Sequence, residues 1–245
     1  MRVVAVTQDD PFFTGPFFEA FLETASGGPV ELAEIVLLAN FNESRLALAR
    51  RLLAFYGPAD FGRLLLRYPR ARGSGVAAIA ARHGVPVRGL ATINDASYLA
   101  TLRERRIDLL LSVAAPEIFR EDALTAAPLA LNVHNGRLPR YRGMMPTFWA
   151  LLAGDSEVVV TVHELAEKLD AGRIVAEFPV PIGPADSAFD LSARAKIVAG
   201  RAVATLLAAG SWPEPRPIAI EEGGYFPFPG AADVRRLRAA GRRLL

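Results

Sequence analysis

Two short stretches of this sequence carry side chains able to move a proton and steady a negative charge. In LNVHNGRLPRYRG, residues 131–143, Asn132 and His134 lie two positions apart at the end of an apolar run. On an extended chain they share a face. In VTVHELAEKLDAGRI, residues 160–174, His163 ends a second apolar run and Asp170 sits in a turn before Gly172. An amide NH₂ can donate to a developing oxyanion and an imidazole can take the proton of an attacking amine, the two services that acyl transfer needs. A carboxylate from a separate loop would orient the imidazole. Each stretch alone also has an ordinary reading. An Asn-x-His pair at a strand end is often a structural hydrogen-bond pair, and Leu-Asp-Ala-Gly is a common turn.

Groups of this kind need rigid elements to hold them, and the hydrophobic pattern supplies candidates. Val3–Val6, 107–113 (IDLLLSV) and Leu129–Val133 are short, continuous apolar runs, as expected of buried strands in a parallel sheet. Val30–Leu38, Val85–Val87, Val158–Leu165 and Ile174–Ile182 are further strands, with Pro86 marking a sheet margin. Helices are expected over Phe17–Thr24, Val76–Arg82 (ending at Gly84), from an Asn94 or Asp95 cap to about Arg105, Pro146–Gly154 and Ser187–Ala209. Residues 43–67 are helical in pattern and unusually apolar, with a break at Gly57-Pro58; a core-covering helical pair is preferred to a membrane-facing or partner-binding surface. A Pro-rich tail follows, with a strand-like piece at Pro217–Ile220 and an Arg-rich helix from Ala232. This alternation predicts an α/β fold, a doubly wound, mostly parallel sheet, with a catalytic domain over 1–210 and a short tail over 211–245. In such a sheet ligands bind beyond the carboxyl ends of strands, so the loops after Val113 and Val133 should hold the chemistry.

Composition narrows the classes. Half the chain is hydrophobic, enough for a sizeable core, and the formal net charge is only +2. The basic residues are nearly all arginine and are spread along the chain, which disfavours nucleic-acid binding. Without cysteine there is no disulfide, zinc-thiolate site or thiol nucleophile. No apolar stretch is long enough for a membrane span and the N-terminus is not a signal peptide, so a cytoplasmic protein is expected. His83, before Gly84, reads as a helix-end residue.

Taken together, Asn-x-His, Leu-Pro-x-x-x-Gly, Gly-Asp, Val-Thr-Val-His and Leu-Asp-x-Gly, in that order with Asp170 36 residues after His134, resemble the folate-dependent formyltransferases. That family includes the methionyl-tRNA, glycinamide ribonucleotide and sugar N-formyltransferases. The likeness covers roughly residues 76–182 with good register. It implies a Rossmann-like fold and 10-formyltetrahydrofolate as cosubstrate. It also implies roles: Asn132 polarising the formyl oxygen, His134 as general base or acid, and Asp170 keeping His134 oriented. Ser112, Val113, Ala114 and Ala115, with Ala166, Glu167 and Asp170, would line the pterin mainly through backbone groups. His163 lies near the site by the same likeness, but a packed strand-end histidine serves equally well. The family commonly has His-Gly-Ser-Leu-Leu-Pro where this chain has His134-Asn135-Gly136-Arg137-Leu138-Pro139, which alters the contacts of that loop and not the catalytic positions.

The acceptor is narrowed by the first loop, Thr7–Phe13, which is acidic and aromatic where a glycinamide ribonucleotide enzyme would carry a phosphate-binding turn. Only about 35 residues follow the last long helix, against the further C-terminal domain of the tRNA enzymes. A small amine, foremost an amino sugar, free or nucleotide-linked, is the expected substrate, and a homodimer is compatible with the sequence. Glycinamide ribonucleotide formylation, hydrolysis of the formyl-folate, and a non-catalytic nucleotide-binding protein are the alternatives.

Overall fold

The computed structural model describes residues 1–10, 12–39 and 45–245. Its elements, in chain order, are β1 (Arg2–Gln8), α1 (Thr14–Ala25), β2 (Glu31–Leu38), α2 (Arg45–Arg72), α3 (Val76–Arg82), β3 (Val87–Leu90), α4 (Ala96–Glu104), β4 (Leu109–Val113), α5 (Glu121–Leu124), β5 (Leu129–His134), β6 (Tyr141–Gly143), α6 (Pro146–Ala153), β7 (Glu157–Glu164), β8 (Ile174–Pro181), α7 (Ala188–Ala209), β9 (Gly224–Phe226) and α8 (Ala231–Ala239).

Seven strands form one sheet in the order β3-β2-β1-β4-β5-β7-β8. The five from β3 to β5 are parallel; β7 runs antiparallel to β5, and β8 antiparallel to β7. Strand side chains alternate between faces. β1 accordingly sends Val3 and Ala5 into one core layer and Val4 and Val6 into the other. A strand that is apolar on both faces must be covered on both. Helices α1 and α7 cover one face with Phe17, Phe18, Phe21, Ala199 and Val203, and α4 and α5 cover the other with Tyr98, Leu99, Leu102 and Ala123. Close approach of α1 and α7 depends on Gly200, where a Cβ would run into the Phe17 carbonyl oxygen. The chain goes from β1 outward to β2 and β3, then returns to place β4 on the other side of β1. This reversal is the switch point at which α/β sheets open a ligand crevice.

Most expected elements are present within a residue or three of their predicted limits, including β3 at the sheet edge beside Pro86. The long segment is helical and breaks at Gly57 (φ 76°, ψ 167°), with Pro58 opening the second half. Residues 43 and 44 of that segment lie outside the described residues. It buries Phe55, Tyr56 and Leu64, yet leaves Leu46, Leu53, Leu65 and Leu66 exposed, so it covers the core with one face only.

One expectation fails. Pro217–Ile220 is not a strand; Arg216 makes a lone bridge to Ile174, and 220–222 is a 3-10 turn. The prolines at 213, 215 and 217 remove the N–H groups a ladder needs. The tail strand comes later, as β9, parallel to β6. Glycines allow it to lie there, since a Cβ on Gly223 would meet the Pro139 carbonyl and one on Gly143 (φ 97°) the Phe226 carbonyl. Val234, Leu237, Leu244 and Leu245 of the tail are buried in the main core.

Candidate active site

Register across three strands assembles the polar groups. Ser112 on β4 lies opposite Asn132 on β5, and Asn132 lies opposite His163 on β7; His134 faces Thr161 one pair further on. Directly paired residues project to the same side of a sheet. Asn132, His134, Thr161 and His163 therefore stand on one face of the sheet, with Ser112 beside Asn132.

Their contacts form a chain. The Asn132 Nδ2 lies 3.0 Å from His163 Nε2, and His163 Nδ1 lies 2.8 Å from the Glu164 carbonyl oxygen. The carbonyl can only accept, so Nδ1 carries the proton and Nε2 receives one N–H of the Asn132 amide. Burial, together with the charge of neighbouring His134, lowers the His163 pKa to about 4 against the opposing pull of Asp170, so this ring is held neutral. His134 Nε2 donates to the Tyr141 carbonyl at 2.6 Å, leaving Nδ1 to face the Asp170 carboxylate at 3.6 Å. Asp170 Oδ1 is also 3.7 Å from His163 Nε2, while its Oδ2 accepts the Gly143 N–H at 2.8 Å. One carboxylate thus sits between two imidazoles, and both side chains of the His134–Asp170 pair are less than a tenth exposed.

Local backbone features fix this arrangement. Asp170 adopts φ 51°, a left-handed conformation that costs a non-glycine residue of order 1 kcal/mol. The turn is closed by Gly172, where any side chain would strike the Glu164 carbonyl oxygen. Thr161 Oγ1 donates to the Gly136 carbonyl at 2.7 Å and ties the loop after β5 to β7, and a Cβ on Gly136 would strike Pro146. Tyr141, whose hydroxyl donates to Asp155 at 2.8 Å, is buried, and its pKa is pushed up to about 12 by burial and by that bond. Its ring anchors the strand whose carbonyl holds His134. Strand β9 braces β6 from the far side, so the C-terminal tail supports the peptide groups that hold both His134 and Asp170.

The structure thus brings together all three residues expected from the sequence to be catalytic, with His163, which the likeness set near the site, beside them. The signal for His163 was present in the alternation of Val-Thr-Val-His, which puts it on the face of Thr161. The backbone partners at Tyr141 and Gly143 carried no such signal. Of the residues expected to line a pterin, Ser112 and Val113 are buried at the end of β4, and Ala114 turns the chain at φ 53°. Ala115 and Leu165, the latter just before Ala166, pack on the same apolar cluster, so the two loops lie over one part of the core; Glu167 is exposed. Among the described residues, the buried side-chain polar atoms left without a hydrogen-bond partner are Asn135 Oδ1 and Arg142 Nε. Both lie in the 131–143 stretch, where an unsatisfied acceptor and donor suit a ligand with polar edges. His83 does occupy a helix C-terminal position, with its ring 3.3 Å from Glu19.

The first loop departs from a phosphate cradle in a specific way. Asp10 Oδ1 accepts the N–H groups of Phe12 and Phe13, at 2.8 and 3.0 Å, at the entrance to α1. These two N–H groups precede the helix, so the carboxylate closes the turn that leads into α1. Phe12 and Phe13 pack edge-on or tilted against Phe189 at the start of α7, with ring centroids 5.6 and 5.0 Å away. Lys196, buried nearby on α7, has its pKa lowered to about 8 by burial, partly offset by Asp10. Pro11 of this loop lies outside the described residues.

The sequence profile of the formyl transferase family matches residues 69–207, more than half of the chain. The chain belongs to this family. A methionyl-tRNA formyltransferase of Rhodopirellula baltica is 41% identical over 113 residues, covering 46% of this chain and 34% of that protein. The match therefore spans about a third of the length of that relative. Similar folds include a glycinamide ribonucleotide transformylase of Symbiobacterium toebii, with TM-score 0.59, 20% identity, and coverage of 89% of this chain and 93% of the other. A sugar N-formyltransferase from a Shewanella species matches with TM-score 0.57 and 16% identity over 96% of this chain and 78% of the other. At these identities the likeness to solved structures establishes the doubly wound fold. Among the described residues no helix is long and apolar enough to cross a membrane, and no group of three or more acidic, histidine or cysteine side chains could hold a metal ion.

Proposed function

We propose that this member of the formyl transferase family moves a formyl group from 10-formyltetrahydrofolate to a small amine, foremost an amino sugar, free or nucleotide-linked. The observation that carries the reading is the Asp170 carboxylate set between His134 and His163, with Asn132 tethered to His163. The orphaned Asn135 Oδ1 and Arg142 Nε, in the loop and strand that follow His134, fit a ligand with polar edges. In this reading residues 1–210 are the catalytic domain and 211–245 a tail that braces it, in a cytoplasmic enzyme.

When bound, the folate supplies an electrophilic formyl carbon on a nitrogen that can leave. Asn132 spends one Nδ2–H on His163 and offers the other to the formyl oxygen as negative charge gathers there. His134, with Nε2–H committed to Tyr141, exchanges protons at Nδ1. It takes one from the acceptor amine as the new C–N bond forms, and returns one to the folate nitrogen as the old bond breaks. Asp170 balances the transient imidazolium and, through Gly143, keeps the loop in place. Ser112, Val113, Ala114 and Ala115, with Ala166, Glu167 and Asp170, line the pterin.

The preference for an acceptor without a phosphate at the first loop rests on Asp10. Its carboxyl group already takes the peptide N–H groups of Phe12 and Phe13, so a phosphate at this turn would lack those donors. Aromatic rings at Phe12, Phe13 and Phe189 offer a sugar or base a face on which to pack. The test is a panel of acceptors assayed with formyl-folate: free and nucleotide-linked amino sugars, glycinamide ribonucleotide, methionyl-tRNA, and water alone. Turnover on an amino sugar is expected. Efficient turnover of glycinamide ribonucleotide or methionyl-tRNA alone overturns the acceptor, and release of folate without any amine makes the protein a hydrolase.

A further inference from the structure

The two halves of α2 carry a surface that the site does not use. Within residues 45–72 there are seven arginines and a single acid, Asp60, which is paired with Arg63 at 2.9 Å and with Arg238 at 3.2 Å. The same segment holds five of the most exposed large apolar side chains of the described residues: Leu66 (81%), Leu46 (61%), Leu65 (55%), Tyr68 (45%) and Leu53 (43%). Single exposed leucines are ordinary on a protein surface. Here they follow helical spacing. Leu46, Arg50 and Leu53 lie on one stripe of the first half. In the second half Leu65 and Leu66 fall one turn after Gly62 and one before Pro69, flanked by Arg63. Each half therefore has a buried side, formed by Phe55, Tyr56 and Leu64, and an opposite side of leucine bordered by arginine.

We propose that this face seats the protein on an anionic lipid surface, with the leucines entering the boundary between headgroups and acyl chains and the arginines meeting lipid phosphates. Helices with leucine on one side and arginine at its margins bind such surfaces in the plane of the membrane and do not cross it. Charge complementarity selects this occupant over a second copy of the chain. Two such faces packed together would set arginine against arginine, with the only acid of the segment already paired. The face also adjoins the catalytic side of the molecule. Tyr68 packs on Phe12, with ring centroids 6.3 Å apart, and the Arg67 guanidinium lies over the Phe189 ring at 5.2 Å. A seated molecule would hold its first loop close to the bilayer. The inference stands on the surface alone and survives a change of acceptor.

Co-sedimentation of the full chain with phosphatidylglycerol vesicles and with phosphatidylcholine vesicles tests it. Binding is expected to the anionic vesicles, to weaken about tenfold or more between low and high salt as the arginine contribution is screened, and to be slight on the neutral ones. The double variant Leu65→Ser/Leu66→Ser should lower partitioning at least about tenfold, since each leucine contributes through burial of its apolar surface. Arg50→Glu should weaken binding to anionic vesicles alone. All these side chains are exposed, and unchanged thermal unfolding of the variants checks that the fold is kept. Failure of the wild-type chain to bind phosphatidylglycerol vesicles overturns the proposal. So does binding that the variants leave intact, or a dimer in sedimentation equilibrium that the leucine variant dissociates while vesicle binding is absent.

Discussion

Replacing His163 by glutamine should flatten the acid limb of the stability curve. The ring is 2% exposed, accepts the Asn132 N–H at Nε2 and donates from Nδ1 to Glu164. Burial first, and the charge of His134 second, hold its pKa at about 4, against 6.5 for an unstrained histidine. Between those values the unfolded chain binds a proton at this position that the folded chain refuses, so stability rises with pH across the window and is lost as pH falls from 6.5 to 4. At about 1.4 kcal/mol per pH unit, the gap corresponds to roughly 3 kcal/mol. Glutamine can still receive the Asn132 N–H through its side-chain oxygen, but it does not titrate. The assay is urea unfolding of both proteins at intervals from pH 7 to pH 4. The wild-type chain should lose roughly 3 kcal/mol more than the variant over this range. Parallel curves would refute the assignment of a buried, neutral His163. Turnover has a linked expectation. Protonation at Nε2 would turn an acceptor into a donor facing the Asn132 NH₂, so the acid limb of kcat should be shallower in the variant.

Gly172→Ala should destabilise the chain by about 1–3 kcal/mol and displace Asp170, because a Cβ there strikes the Glu164 carbonyl; denaturant midpoints and turnover should fall together, and an unaltered midpoint would contradict the close approach. Glu34, 3% exposed, accepts from Arg88, Tyr98 and Arg105 at 2.7–2.9 Å, and these bonds outweigh burial and lower its pKa. Glu34→Ala should cost about 1–3 kcal/mol at pH 7 by stranding the buried Tyr98 hydroxyl, and this cost should shrink as pH falls through the carboxylate range, which thermal unfolding at pH 7 and 3 would measure. A chain cut after residue 210 loses the buried Val234, Leu237, Leu244 and Leu245, at about 1.5–3 kcal/mol each, and should fail to give a cooperative unfolding transition; a stable, active fragment would show that the tail is dispensable.

The strands were legible because buried parallel strands are continuous apolar runs, and Val3–Val6, Leu109–Val113 and Leu129–Val133 have no competing periodicity. Asn132 and His134 could be read as neighbours from strand alternation alone. What placed Asp170 against them was family likeness, since nothing local to Leu-Asp-Ala-Gly says that its carboxylate crosses to a β5 loop. The tail strand was misplaced because strand-like residues at Pro217–Ile220 outrank Gly224-Tyr225-Phe226 by propensity. The pairing with β6 is set instead by glycines that let two backbones touch, a tertiary effect that propensity does not contain. The apolar character of α2 was visible, but which leucines face solvent depends on the kink at Gly57 and on what packs beneath. Asp10 was legible as an acid and not as the residue that closes the turn before α1.

The central claim is that Asn132, His134 and Asp170 form one acid–base and oxyanion unit acting on a formyl-folate. The most direct measurement is the absorbance change on conversion of 10-formyltetrahydrofolate to tetrahydrofolate, with an amino-sugar acceptor, by the wild-type chain and by His134→Ala, Asp170→Ala and the control Glu23→Ala at an exposed position of α1. Wild type and control should turn over alike, while each of the other two falls by about 10²–10⁴-fold in kcat with its fold intact. Turnover by His134→Ala or Asp170→Ala within a few-fold of wild type would contradict the account.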